Sequence, residues 1–318
     1  MSPTRNIRCS TPILVAMLVS AACLLCACHD TQKPAAPPLN TTLLDGQRAL
    51  GEVRAFVALG ARDSGTLGAV GAAEYLQRRL ARIGIAGEMD TFTNDTPQGR
   101  LVFRNVVGTL TGRADCVVIL ASHYDTKTGI GDGFVGANDG GSSTGLLLEL
   151  GRVLASLQGA PTVILAFFDG EECRVTYGPH DGLHGSRRCV EWLRARGRLR
   201  DVRAVILLDM IGDADLNVMI PRNSSPELTS LAFTAARAEG VRDRFGLHGG
   251  SVLDDHVPFL EAGVPAIDLI DFEYGSAPGR NDFWHTTQDT LDKLSADSLQ
   301  TVGRVVLRMV GAIAASRP

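Results

Sequence analysis

The amino-acid sequence of 318 residues lacks several features that would point to a function class at once. It has no excess of positive charge, since the formal net charge is −4 and the basic residues are scattered, which argues against a nucleic-acid partner. Beyond the N-terminal region it has no internal repeat and no Pro/Ser/Gly-rich linker, so we predict one folded domain. Cysteine is also scarce, and four of the seven cysteines lie near the N-terminus, at positions 9, 23, 26 and 28.

The three remaining cysteines are too few to form a disulfide framework: Cys116, Cys173 and Cys189. Cys173 and Cys189 could pair in an oxidising compartment. Their separation along the chain says nothing about the geometry that a disulfide requires, so the sequence leaves this pair unassigned.

Residues 1–28 are predicted to be an export signal rather than part of the fold. Two arginines precede an apolar run, Ile13–Cys26, that is too short to span a bilayer comfortably. The run leads into Leu25-Cys26-Ala27-Cys28, which resembles a bacterial lipobox, with plain secretion and nearby cleavage as the alternative. We therefore expect an exported lipoprotein facing the periplasm or the cell exterior, attached to the membrane only through a lipid on Cys28. Residues 29–42, which include a Pro/Ala-rich stretch, predict a flexible tether before the domain at 43–318.

Short apolar runs and periodic segments alternate along this domain. Four runs are rich in β-branched residues and predict strands covered on both faces: Cys116–Ala121, Val163–Phe168, Ala204–Leu208 and Ala266–Ile270. Five segments have apolar residues at helical spacing: Val70–Ile83, Ser142–Leu157, Ser186–Arg196, Ser225–Glu239 and Ser295–Ala315. The alternation predicts a single α/β domain, with a central, mostly parallel, twisted sheet and helices on both faces.

Chemically active side chains follow three of the predicted strands. His123 comes shortly after the first run, Glu171 and Glu172 follow the second, and Asp209 directly follows the third. Because ligands of open α/β sheets bind at the carboxyl ends of the strands, we expect these side chains to meet at one edge of the sheet.

Five segments carry a His, Asp or Glu beside small residues: 121–125 (ASHYD), 136–142 (GANDGGS), 167–172 (FFDGEE), 207–212 (LLDMIG) and 284–286 (WHT). One imidazole with two carboxylates can form a three-ligand zinc site that keeps a position open. Together, from roughly Arg62 to the C-terminus, these segments resemble those of the zinc aminopeptidase and animal-type glutaminyl cyclase superfamily.

The resemblance implies a role for each matching residue. The catalytic zinc would be bound by three of them: Asp139, Glu172 and His285. Glu171 would be the general acid/base. His123 and Asp209 match the ligands of a second zinc in the aminopeptidases, where Asp139 bridges the two ions. In the cyclases these two positions persist although one zinc is bound.

Three features resemble the cyclases more than the peptidases. Asp254 matches a cyclase residue that joins a hydrogen-bonded chain with Glu171 and Asp209, whereas peptidases usually have a small residue there. Trp284 matches an indole that forms an apolar floor for the glutamine stem. The segment Gly178–Arg187 matches the cyclase run after the glutamate pair.

Two features point the other way. The segment Asn138–Ser142 has the glycine-rich peptidase form, and Tyr177 stands where animal cyclases have a tryptophan, so we expect it to line the substrate site. We predict a glutaminyl-peptide cyclotransferase, an acyltransferase with one zinc ion that acts on a peptide or protein N-terminus. A zinc aminopeptidase with two zinc ions is the alternative. A zinc-containing binding lipoprotein without turnover would need an idle acid/base, and Glu171 is present.

Overall fold

The computed structural model describes residues 39–112, 114–157 and 161–316, without the side chains of 114–116. The predicted signal, the lipobox cysteine and most of the predicted tether lie outside these ranges. The end of the tether segment is packed on the domain: Leu39 contacts the hydrophobic core, and the Thr41 hydroxyl donates to Glu239 Oε1 at 3.0 Å. The folded domain therefore begins before residue 43. No helix in the described ranges is long and apolar enough to cross a membrane.

A six-stranded sheet organises the domain. Its strands are β1 (Gly87–Thr96), β2 (Gly99–Leu110), β3 (Ala114–His123), β4 (Pro161–Phe168), β5 (Val202–Asp209) and β8 (Ala266–Ile270), in the spatial order β1-β2-β4-β3-β5-β8. Strands β4, β3, β5 and β8 are mutually parallel, and β2 runs antiparallel to both of its neighbours. Two further strands, β6 (Val218–Ile220) and β7 (Phe245–Leu247), form a separate parallel pair.

Helices cover both faces of the sheet: α1 (Gly46–Val57), α2 (Leu67–Arg82), α3 (Gly141–Ser156), α4 (His184–Ala195), α5 (Pro226–Ala238), α6 (Val257–Glu261) and α7 (Ala296–Ala315). Alternate residues of each central strand enter different hydrophobic clusters, because successive side chains of a strand point to opposite faces. In β3, for example, Val118 and Leu120 pack in the cluster that contains α1, α3 and α7, whereas Ile119 packs with α4 and α6. This two-sided burial explains why the apolar runs show no alternation.

The predicted fold class is confirmed, and each predicted strand and helix is present with small differences at its ends. Strands β1 and β2 were not predicted from the sequence. Their exposed and half-buried residues alternate at the sheet edge, so they contain no continuous apolar run. Helix α1 was not predicted either. Cys173 and Cys189, the pair left unassigned, are both buried free thiols.

The register of the sheet brings the candidate residues to one edge. His123 pairs with Phe168, the residue before Asp169, and Ala121 pairs with Leu207. Continuing the second register by two residues places His123 opposite Asp209, so histidine and carboxylates meet at the carboxyl ends of the parallel strands.

Candidate active site

Three predicted zinc ligands from three different parts of the chain converge. His285 Nε2 lies 3.0 Å from Glu172 Oε1 and 3.2 Å from Asp139 Oδ2. Asp139 precedes α3, Glu172 follows β4, and His285 lies in the loop between β8 and α7. Burial lowers the pKa of His285, but hydrogen bonds to the two carboxylates outweigh it and raise the pKa to about 9. The raised pKa of His285 shows that the two nearby carboxylates concentrate negative charge at this site.

The geometry of this group fits a zinc ion. One ligand atom from each of the three residues lies within 4.8 Å of the others. Ligand atoms around one tetrahedral zinc lie roughly 3.4 Å apart, given metal–ligand bonds of about 2.1 Å. In the described part of the chain, the buried Asp139 Oδ2 and Glu172 Oε2 have only ion-pair contacts, to His285 Nε2 at 3.2 Å and to Lys127 Nζ at 3.4 Å. Two buried carboxylates and one imidazole are a donor set suited to a catalytic zinc.

A second group of possible ligands shares Asp139. His123 Nε2 lies 3.1 Å from Asp139 Oδ1 and 3.2 Å from Asp209 Oδ1, and all three side chains are buried. The two oxygens of Asp139 therefore face different histidines, which is the arrangement that a bridging carboxylate would need.

Glu171 lies beside the three-residue group but outside it. Burial, followed by the charge of Glu172, raises the pKa of Glu171 well above its ordinary value. The carboxylate of Asp125 holds the backbone here, since it accepts hydrogen bonds from the Glu171 amide at 3.1 Å and the Glu172 amide at 3.2 Å. The two neighbouring glutamates can consequently serve different tasks, one as a ligand and one as a proton carrier.

Asp289 ties two parts of the site together. Its carboxylate accepts hydrogen bonds from the Asn138 amide at 2.7 Å, the Asp139 amide at 3.1 Å and the Tyr274 hydroxyl at 2.8 Å. The loop that carries Asp139 is thereby fixed to the loop that carries His285. Burial raises the pKa of Asp289 to about 6.

A fully buried arginine supports the same loop from below. The Arg62 guanidinium donates to the carbonyl oxygens of Tyr124 at 2.8 Å, Val135 at 2.7 Å and Gly136 at 3.1 Å. It links the segment after β3 to the segment before Asp139, and burial lowers its pKa to about 10.

Asp254 is a buried acid that lies close enough to Glu171 for the two charges to interact. Burial, and then the charge of Asp209, raises the pKa of Asp254 to about 7. Its carboxyl group contacts that of Asp268, a buried residue of β8 whose pKa burial raises well above the ordinary value. Two buried carboxyl groups in contact repel each other when both are charged, which favours the neutral form of one of them. The structure thus adds Asp268, a buried acid that we did not predict, as a neighbour of Asp254.

The two predicted substrate-binding residues contact different residues of the site. The indole of Trp284 is 39% exposed and stacks on the His285 ring, with centroids 4.0 Å apart. Tyr177 is half-buried, and its hydroxyl donates to Glu171 Oε1 at 2.8 Å. Trp284 is therefore open to a substrate, whereas the hydroxyl of Tyr177 is bonded to the proposed acid/base.

Backbone strain also collects at this site. In the described chain, positive φ angles outside glycine occur at Leu183 (54°), Met210 (46°) and His285 (53°). Met210 follows Asp209, Leu183 closes the loop after Glu171, and His285 is itself a candidate ligand. Such conformations are costly and are retained where function requires them.

Two residues of the site, Asp268 and Asp289, were not predicted from the sequence. Asp268 interrupts the apolar run Ala266–Ile270, and a lone acid in a buried strand is a usable signal. Asp289 follows the His285 segment without any such signal, because a surface loop can contain an aspartate for many reasons. Its role depends on contacts with residues far away in the sequence.

Comparison with known proteins gives consistent matches. The model of peptidase family M28 matches residues 105–310. The chain belongs to peptidase family M28. This M28 chain is 32% identical to a glutaminyl-peptide cyclotransferase-like protein from Bos taurus, over 77% of this chain and 70% of that protein.

Solved structures of two kinds resemble this M28 chain. A glutaminyl cyclase from an Acidobacteriales bacterium is 37% identical, with a TM-score of 0.81, covering 88% of this chain and 97% of that one. A leucine aminopeptidase precursor from Bacteroides thetaiotaomicron is 25% identical, with a TM-score of 0.76, covering 86% and 98%. The predicted superfamily and its greater likeness to the cyclases are confirmed.

Proposed function

We propose that this M28 protein is a zinc-dependent glutaminyl-peptide cyclotransferase, which converts the N-terminal glutamine of a peptide or protein to pyroglutamate and releases ammonia. Asp254 is the observation that favours cyclisation over hydrolysis. It is a buried carboxyl group whose charge acts on Glu171, at a position where peptidases of this superfamily usually have a small residue. The likeness to the Acidobacteriales glutaminyl cyclase supports the same choice.

The ion would be held by Asp139, Glu172 and His285. When bound there, zinc supplies a Lewis acid that polarises the side-chain amide of the substrate. Glu171 takes a proton from the substrate α-amine as this attacks the amide carbon, and delivers it to the departing ammonia. The new lactam C–N bond replaces the broken C–N bond, so no water is consumed. Nucleophile and carbonyl belong to one bound molecule, and orientation therefore contributes much of the rate.

The other residues bind and orient the substrate. Trp284 offers an exposed flat apolar surface for the methylene stem of glutamine. A proton held between Asp254 and Asp268 would limit the negative charge near Glu171 as Glu171 gains and loses its own proton.

The direct test uses the purified full-length protein with zinc and an N-terminal glutaminyl peptide. We expect the peptide to release ammonia, measured by a coupled assay, and to decrease in mass by the same amount. Free N-terminal amino acids from unblocked peptides, with the glutaminyl peptide unchanged, would reject the proposal.

Aminopeptidase activity with two zinc ions is the second candidate function. The observation that favours it is the arrangement of His123, Asp139 and Asp209 next to the first ligand group. Elemental analysis separates the two functions at the level of the metal: one tightly bound zinc per chain supports cyclisation, and two support hydrolysis.

We also propose that the protein is an exported lipoprotein attached through Cys28. Replacing Cys28 by serine should move the protein from the membrane fraction to the soluble exported fraction. Unchanged membrane association of that variant would contradict lipid anchoring at this residue.

A further inference from the structure

The loop after Glu172 closes on Glu171 and carries Tyr177 to it. The Asp181 carboxylate accepts hydrogen bonds from three successive amides, those of Arg174 at 2.6 Å, Val175 at 2.8 Å and Thr176 at 3.0 Å. These residues directly precede Tyr177, so the backbone that carries the phenol is firmly held. The loop returns to its origin where the Leu183 amide donates to the Glu171 carbonyl oxygen at 3.0 Å.

The ring of Tyr177 packs against Gly182, at a position where any other residue would clash with it. Gly182 has a φ of +78°, and a Cβ there would lie 2.4 Å from Tyr177 Cδ1 and 2.6 Å from Cε1. The Lys127 ammonium lies 5.9 Å from the ring centroid on another side. The backbone held by Asp181, the packing of the ring on Gly182 and the Lys127 ammonium together fix where the hydroxyl points.

The hydroxyl points to Glu171. It donates to Glu171 Oε1 at 2.8 Å. A glutamate side chain has three rotatable bonds, and a fixed bond to one oxygen determines where the other oxygen lies. Oε2 then remains available to exchange a proton with a substrate.

We propose that Tyr177 is a positioning residue for the general acid/base: its hydroxyl holds Glu171 in the orientation that proton transfer needs. This inference rests on the proposed function for the identity of the reaction. It differs from the expected role of Tyr177 as a wall of the substrate site, because it acts through Glu171.

The test compares Tyr177→Phe with Tyr75→Phe in the full-length, zinc-loaded protein. Tyr177→Phe removes the hydroxyl and keeps the ring. A hydrogen bond to a charged group is worth a rate factor of about 10 to 100, so kcat should fall by that factor while KM stays within about twofold. Tyr75 lies on α2 against Phe56, away from the site, and its phenylalanine variant should keep the wild-type kcat and KM.

Two results would overturn the proposal: an unchanged kcat for Tyr177→Phe, or a loss that lies in KM with kcat unchanged. Should the phenylalanine variant prove unfolded by its thermal transition, Tyr177→Trp replaces it, since an indole keeps apolar volume and one N–H donor. A kcat within about tenfold of wild type would then support the proposal, and a larger loss in a folded, zinc-loaded Trp variant would contradict it.

The wild-type product tells apart failure of this inference from failure of the proposed function. If the wild-type protein releases amino acids instead of ammonia, cyclisation is rejected, and the same pair of variants still tests positioning of Glu171 in the hydrolytic reaction. If the wild-type protein cyclises glutamine and Tyr177→Phe is fully active, only the positioning role is rejected.

Discussion

At the level of single residues, adjacent glutamates have separate surroundings. Glu172 contacts His285 at 3.0 Å and Lys127 at 3.4 Å, whereas Glu171 contacts the Tyr177 hydroxyl. Replacing Glu171 by Gln should therefore abolish turnover, with a loss of at least about 100-fold, because the amide cannot carry the proton. Zinc content, measured by elemental analysis, should remain that of the wild type. Loss of zinc along with activity would place Glu171 among the ligands instead.

The buried acid pair gives a second prediction for single residues. Asp254→Ala removes one carboxyl group of the Asp254–Asp268 pair, and glutamine cyclisation should fall by about 100-fold or more. The exposed Asp215 offers a matched control, and its alanine variant should keep the wild-type rate. A near-normal rate for Asp254→Ala would show that the pair has no part in proton transfer.

At the level of secondary-structure elements, α1 and α3 touch through a glycine. A Cβ at Gly145 would lie 2.4 Å from Val53 Cγ2 and 2.6 Å from the Val53 amide nitrogen. Gly145→Ala should lower the free energy of unfolding by about 1–3 kcal/mol, because helix backbone cannot move away as a flexible side chain can. In contrast, Gly51→Ala on α1 meets no atom within 4 Å and should be neutral or stabilising. Denaturant unfolding of both variants measures the difference.

The elements also show how far the sequence was informative. Buried parallel strands such as β4 and amphipathic helices such as α7 were recognisable, since their patterns follow directly from burial on two faces or one. The edge strands were not, because a half-exposed hairpin has no distinctive apolar run. The convergence of Asp139, Glu172 and His285 was expected from the family resemblance. The direction of the Tyr177 hydroxyl depends on the fold of one loop and could not be predicted.

At the level of the whole molecule, buried groups make stability depend on pH. Burial lowers the pKa of His256 to about 4, compared with about 6.5 in an unfolded chain. Asn223 Nδ2 lies 3.0 Å from its Nε2, and Asp268 Oδ2 lies 4.0 Å from its Nδ1. The unfolded state binds more protons in this window, so the contribution of His256 is complete above pH 6.5 and decreases as the pH falls to 4.

Other buried acids, such as Asp271 with a pKa raised to about 7, have the opposite pH dependence, so the effect of His256 must be isolated by difference. We expect the stability of the wild type relative to His256→Gln to increase between pH 4 and pH 7, by an amount on the order of 3 kcal/mol. A constant difference across this range, measured by denaturant unfolding, would contradict the neutral state of His256.

The hydrogen bonds of Asp289 should affect how readily the site binds a zinc ion. By binding the amides of Asn138 and Asp139 from a loop far away in the sequence, its carboxylate holds the segment of Asp139 against the loop that carries His285. Part of the chain entropy lost in ordering these ligands would then be lost on folding and not on zinc binding. A chain that lacks this carboxylate would have to order the ligands when the ion binds, and it should therefore bind zinc more weakly.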